Sequence, residues 1–286
     1  MPPVLRVPPG AVVELFTKEA TDGQLNVNST AADLAKLDFN LIHPLTGPIH
    51  VEGAMPGDVL AVTFHEIELG NWGWNAHRPG GSGLLADDFH EPYLKTWSFS
   101  PGQTHVEFEP GISIPLQPFP GVVGVAPDTD EMLSTIPPRA NGGNMDNKYI
   151  GVGTTVYLPV FVEGALLSIG DTHAVQGDGE ICGTAIEAPM RIVLEVHVVK
   201  GKSILEPQYE TDDYYAVTGF AETIHEAARK ASRYMLDYLE NEHGMAREDA
   251  YALASLAGDL KISEAVDMPH YLVSMHIPKE IFKKRQ

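Results

Sequence analysis

The chain has 286 residues, with 19 Lys plus Arg against 39 Asp plus Glu, giving a formal net charge of −20 at pH 7. So acidic a chain is repelled by nucleic acid and by anionic membrane surfaces, and no apolar run approaches the roughly 20 residues needed to cross a bilayer. The single cysteine, Cys182, excludes an internal disulfide and every cysteine-rich zinc motif. What remains is a chain long enough to bury a sizeable core. Without a signal-peptide pattern at Met1-Pro-Pro-Val4 it is expected in the cytoplasm, acting on neutral or cationic small molecules.

The first 70 residues read as β. Ala11–Phe16 is rich in strand formers, Thr21-Asp-Gly-Gln24 is a turn, and Asn40–His50, with two prolines and a glycine, reads as an irregular loop. Val51–Gly53 leads into the Met55-Pro-Gly-Asp58 turn, and Val59–Leu69 follows as a strand. Asn71–Gly83, with two tryptophans, His77, Arg78 and four glycines, reads as a loop that walls a pocket, makes a subunit contact or simply covers buried indoles. Short strands return at His105–Phe108, Ile112–Ile114, Gly121–Ala126, Val156–Val162 and Ala165–Ile169. Between them, Ile136–Asp146 is extended and then turns at Gly-Gly-Asn, holding Asp146 at its end. Arg191–Val199 alternates apolar and polar residues, as a half-buried strand does.

The last third changes period. Thr223–Glu242 places Ile224, Ala228, Ala231, Met235 and Leu239 at helical spacing, and Gly244 stops it. Met245–Ala257 predicts a second helix, and Tyr271–Ile277 a final strand before a basic tail. The expected fold is mainly β, a β-sandwich-like core with an α+β C-terminal region. Residues 1–200 would form the β-rich core and 201–286 the α+β part, unless the two are one integrated domain.

Chemistry concentrates in Gly170-Asp-Thr-His-Ala-Val-Gln-Gly-Asp-Gly-Glu180 and its continuation to Glu187. On a strand, Asp171 and His173 share a face. Gln176–Gly179 reads as a tight turn, after which Asp178 and Glu180 would open a return strand. Alone, Asp171 could cap a turn and His173 be a satisfied core histidine. Together with Asp178, Glu180 and Glu187, the carboxylates repel one another unless protons or a cation offset them. A divalent cation is the simplest solution, and imidazole plus carboxylate is a usual donor set for catalytic zinc. Clustered oxygens also suit calcium, so a non-catalytic calcium-binding module stays open. Cys182 is the rival nucleophile, paired with His173, or else a small hydrophobe in an apolar strand. Glu52 is a lone acid beside a turn, and His43, His50 and His77 read as structural or surface residues.

The same segment resembles the signature of the acetamidase/formamidase family. So do His43–Asp58, Phe119–Pro127, Pro137–Asp146 and Asp259–Asp267, which extends the resemblance over nearly the whole chain. The resemblance implies hydrolysis of short amides to a carboxylic acid and ammonia, and a homodimer or higher homo-oligomer. It also implies a divalent metal, zinc first and calcium second. In that frame Asp171 and His173 are the expected metal ligands, with Asp146 and Glu187 next. Glu180 is the expected general base and proton donor, assisted by Asp178 or Glu52. His77–Gly83 is less apolar than the family's run there. Arg78 and Ser82 would then admit a larger or anionic substrate, or a related lactam or ester.

Overall fold

Alternation of buried and exposed residues builds the larger of two sheets. In Met190–Val199, Met190, Ile192, Leu194 and Val196 point inward, and in the adjoining edge strand Ala11–Thr17, Val13, Leu15 and Thr17 do the same. The computed structural model describes residues 1–282; the basic tail expected beyond Phe282 lies outside them. The eight strands of this sheet run, in spatial order, Asp259–Glu264, Tyr271–Pro278, Tyr214–Ala221, Gln208–Glu210, Thr155–Pro159, Val59–Leu69, Met190–Val199 and Ala11–Thr17. A second sheet orders Leu5–Val7, Leu45–Val51, Leu167–His173, Phe119–Gly124 and Gly142–Asn144.

One apolar core fills the space between the sheets. It takes Ile49, Val51, Val123, Leu167 and Ile169 from the five-stranded sheet and Leu60, Phe64, Leu158, Leu194 and Tyr209 from the other. This is the sandwich the composition predicts, with the C-terminal helices laid on the eight-stranded sheet. Helix Ile224–His243 starts at Thr223, whose hydroxyl accepts from the Glu226 N–H, and ends at Gly244 in the left-handed conformation. Its buried stripe Ala227, Ala231, Met235 and Leu239 packs with Ala250 and Ala254 of helix Arg247–Ala257 against Val217, Val273 and Met275. Strands from residues 208–278 therefore continue the same sheet that holds Val59–Leu69.

Three local expectations are overturned. Leu45–Val51 is a strand rather than a loop, with Ile49 and Val51 buried. Its prolines and glycine hide the alternation because Gly47 and Pro48 sit in a bulge opposite Ser168, where the register shifts. A Cβ on Gly47 would lie 2.6 Å from the Leu167 carbonyl oxygen, and its φ of +138° disfavours any other residue. Trp72–His77 is likewise a strand, paired with Tyr93–Ser98, so only the stretch between them is loop. And the segment after His173 forms no return strand: it is irregular to Pro189, with isolated bridges such as His173 with Glu187.

Leu158 is fully buried in the inter-sheet core. Leu158→Ala should lower the free energy of unfolding by about 2–5 kcal/mol, read from urea denaturation. A loss under about 1 kcal/mol would mean that this core is not the fold's main support.

Candidate active site

The end of strand Leu167–His173 brings together most of the residues singled out above. His173 Nε2 lies 3.1 Å from Glu187 Oε2, 3.6 Å from Asp171 Oδ2 and 3.7 Å from Asp146 Oδ1. Glu180 completes a second triad with Asp146 and His173, in which the nearest donor atoms all lie within 4.8 Å of one another; Asp171, His173 and Glu187 form the first. All five are buried.

Backbone conformation explains how neighbours in sequence converge so tightly. Six described residues other than glycine have positive φ, and three of them are cluster acids: Asp146 at 39°, Asp171 at 48° and Glu180 at 47°. These side chains turn inward where a regular strand would hold them apart, and such left-handed non-glycine residues gather at functional sites. Gly121, on the neighbouring strand Phe119–Gly124, leaves the necessary room. A Cβ there would fall 2.4 Å from Asp146 Oδ1 and 2.8 Å from His173 Cε1.

The imidazole is oriented from behind. Gln176 Nε2 donates to the Asp146 carbonyl at 2.6 Å, which aims Gln176 Oε1 at His173 Nδ1, 2.8 Å away. Nδ1 then carries a proton and Nε2 faces the cluster; although burial acts the other way, Glu187 and Asp171 raise the imidazole's proton affinity well above its usual value. There, His173 Nε2, Asp146 Oδ1, Asp171 Oδ1 and Glu187 Oε2 are all buried without a hydrogen-bond partner. Buried polar atoms are seldom left so. These unpartnered atoms, one imidazole nitrogen and three carboxylate oxygens, belong to two triads that share His173, and either triad offers a donor set that fits a divalent cation.

Electrostatics follow from burial. Burial, reinforced by the charge of Asp146, pushes the Glu180 carboxyl well above the usual range, and burial raises Glu187 to about 7. Although burial acts the other way, the nearby His43 and His173 hold Asp171 down at about 2. Asp267 is driven well above its ordinary value by burial and by Asp146, to which it is hydrogen-bonded, and it accepts from Asn144 Nδ2 at 2.7 Å. Glu264, beside it, is raised to about 7 by burial.

Sequence reasoning did not assign roles to Asp267, Glu264 or His43. His43 lines the cavity, its Nε2 3.7 Å from Asp171 Oδ2, instead of being structural or superficial. Trp74 is also a part of the site. Its backbone exchanges two hydrogen bonds with Glu187, at 2.9 and 2.7 Å, and its indole N–H donates to buried Glu19 at 2.8 Å.

Two expected assistants are placed elsewhere. Asp178 is exposed, 3.2 Å from Lys148 and accepting from the Tyr149 hydroxyl, because the strained turn at Glu180 sends it outward. Glu52 is exposed on its turn and does not line the cavity. Cys182 lines the cavity, but its Sγ contacts Asn75 Nδ2 and the Thr184 carbonyl, both at 3.3 Å, and no imidazole. The cavity above the acids holds about 310 Å³.

A family model described as the Acetamidase/Formamidase family matches residues 1–134 and 129–284. An acetamidase of Mycolicibacterium smegmatis is 33% identical over an alignment taking in 70% of this chain; the chain spans 64% of that protein, less than two thirds of its length. The crystal structure of an acetamidase from Bacillus halodurans superposes with a TM-score of 0.92 at 36% identity, covering 99% of this chain and 93% of that one. A gamma lactamase from Delftia acidovorans superposes with a TM-score of 0.66 at 28% identity, covering 99% and 87%.

The raised acids set a pH dependence. Between the ordinary carboxyl range near 4.5 and about 7, folded Glu187 and Glu264 keep protons that the unfolded chain has released. Stability of the cation-free protein should therefore fall as pH rises from 5 to 8, and zinc added at pH 8 should restore it. Melting temperatures in chelator and in zinc check this. A cation-free protein more stable at pH 8 than at pH 5 would contradict the assignment of buried, protonated acids.

Proposed function

This chain belongs to the acetamidase/formamidase family, and from that premise we propose that it hydrolyses linear primary amides to carboxylic acid and ammonia, supported by a divalent cation at the buried cluster. The observation that carries this reading is the pair of buried triads sharing His173, Asp146–His173–Glu180 and Asp171–His173–Glu187, with unpartnered donor atoms on His173, Asp146, Asp171 and Glu187, the four acids lining the cavity. Bound there, a divalent cation, zinc by donor set with calcium as the alternative, supplies a Lewis acid that polarises the amide carbonyl and acidifies water.

The chain's own residues supply the rest. Gln176 fixes the imidazole tautomer, so His173 binds through Nε2. Asp267, pushed by burial and by Asp146 well above its ordinary value, is paired with Asp146 and steadies that carboxylate in turn. Glu180 lies beside the cluster, and burial and Asp146 raise its proton affinity well above the ordinary carboxyl range, so it is a group able to hold and return a proton. As water oxygen adds to the carbonyl carbon, Glu180 accepts its proton. As the C–N bond breaks, the same proton goes to nitrogen, which leaves as ammonia. Asp178 and Glu52 have no step in this scheme.

Substrate can be small and neutral, consistent with the acidic surface, and no helix among the described residues is long and apolar enough to cross a membrane. In the same reading the enzyme is cytoplasmic and works as a homodimer or larger homo-oligomer. Val12 and Phe16, 62% and 65% exposed along the sheet-edge strand Ala11–Thr17, support association of copies. The Delftia gamma lactamase favours a second reading, a lactam or related carbonyl bond on the same fold.

Ammonia release from formamide and acetamide, together with release of the ring-opened amino acid from a small lactam, tests both. Linear amides should be preferred, activity should vanish on chelation and return with zinc, and Glu180→Gln should cost on the order of 10²–10⁴ in kcat with the fold intact. Full activity in verified metal-free enzyme would remove the cation from the reaction. A lactam turned over in preference to both amides would select the second reading. No hydrolysis product from any of the three substrates would return the calcium-binding module.

A further inference from the structure

The cavity is much larger than the amides its chemistry needs. A volume of about 310 Å³ equals roughly ten waters at about 30 Å³ each, whereas acetamide has only four non-hydrogen atoms. Much of the excess is bounded by apolar side chains. Above the acid floor the walls are Leu34, Leu37, Phe39, Ile42, Trp74 and Ile136. Leu34 and Trp74 belong to a small apolar cluster with Ala20, Leu25 and Ala76, separate from the core between the sheets. That cluster gives the chamber a backing of its own. At the outer end the exposed Arg78 guanidinium lies 4.0 Å from the centre of the Phe39 ring, extending the wall over the mouth.

From these observations we propose that the chamber is an acyl-arm subsite, and that the substrate is a primary amide carrying an uncharged apolar chain of about four to six carbons. The inference rests on the amidase reading for its orientation: the amide sits on the acid floor and the arm lies along the Leu34–Phe39 wall. Such a division matches the two halves of the cavity, polar and buried below, apolar above. An anionic arm does not fit as well. The floor is carboxylate, the chain carries a net charge of −20, and the nearest cation, Arg78, is stacked on an aromatic ring. Phe39 and Ile136 are then specificity-determining residues.

The test uses the zinc-loaded full chain and the series formamide, acetamide, butyramide and hexanamide. Each buried methylene should raise kcat/KM by roughly fourfold, so hexanamide should exceed acetamide by about 10²-fold. Ile136→Trp, which fills part of the chamber, should lower the hexanamide-to-acetamide ratio at least tenfold. Binding is read separately by thermal shift with methyl ketones, in which methyl replaces the amide NH₂: 2-heptanone should raise the melting temperature and acetone should not. If kcat/KM instead falls from acetamide to hexanamide and 2-heptanone does not bind, the subsite is wrong and the amidase reading stands. If 2-heptanone binds and no amide is turned over, the amidase reading fails and the substrate assignment falls with it.

Discussion

Carboxylates buried together cannot all remain anions without a compensating charge, and the architecture around His173 is arranged about that repulsion. Asp146, Asp171, Glu180 and Glu187 share a dry site with one imidazole, and Asp267 and Glu264 lie just behind. Two sources of positive charge are open to such a cluster: protons, which most of these acids are pushed upward to hold, and a cation, for which the unpartnered atoms of the two triads sharing His173 offer donors. The two exchange for one another. That is why cation affinity, proton affinity and folding stability should move together here.

The sandwich holds this arrangement from several directions at once. Leu167–His173 is a central strand between Phe119–Gly124 and Leu45–Val51, and at its His173 end Phe119 on one side and the bridge to Glu187 on the other hold it in place. Gly121 gives up a side chain to let Asp146 and His173 approach, and the Thr17 hydroxyl ties the eight-stranded sheet to Thr172 at 2.8 Å. Trp74 links the cluster to the hairpin above it through two backbone bonds to Glu187. Left-handed backbone at three acids costs of order 1–3 kcal/mol each. It persists because packing on every side determines it.

How much of this a sequence can display depends on the range of the interaction. Alternation along Arg191–Val199, the helical stripe of Ile224–Leu239 and its glycine stop are local and were legible. So was the density of acids between Asp171 and Glu187, including the ligands expected there, which do meet in space. The return strand was not legible, because left-handed Asp171 and Glu180 obey no two-residue period, and the same turn that buries Glu180 expels Asp178. Leu45–Val51 was hidden by a bulge that needs Gly47 and Pro48, residues that read as loop. His43 and Asp267 reach the cluster from more than a hundred and more than eighty residues away by sheet topology, and no spacing rule connects them to His173. Their only sequence-level trace lay in the flanking motifs of the family resemblance.

In the proposed reaction, the lining of the cavity by buried acids and by an apolar wall would also separate two contributions to catalysis. Interactions at the floor change as charge develops on the reacting amide, so they act on the transition state. The wall made by Leu34, Phe39 and Ile136 sees the same hydrocarbon before and after, so it binds ground state and transition state alike. An arm there contributes about 0.8 kcal/mol per buried methylene. It lowers KM and raises kcat/KM while leaving kcat nearly constant. A chain-length series therefore distinguishes the two halves of the site: the wall governs KM along the series, and Glu180 governs kcat at every length.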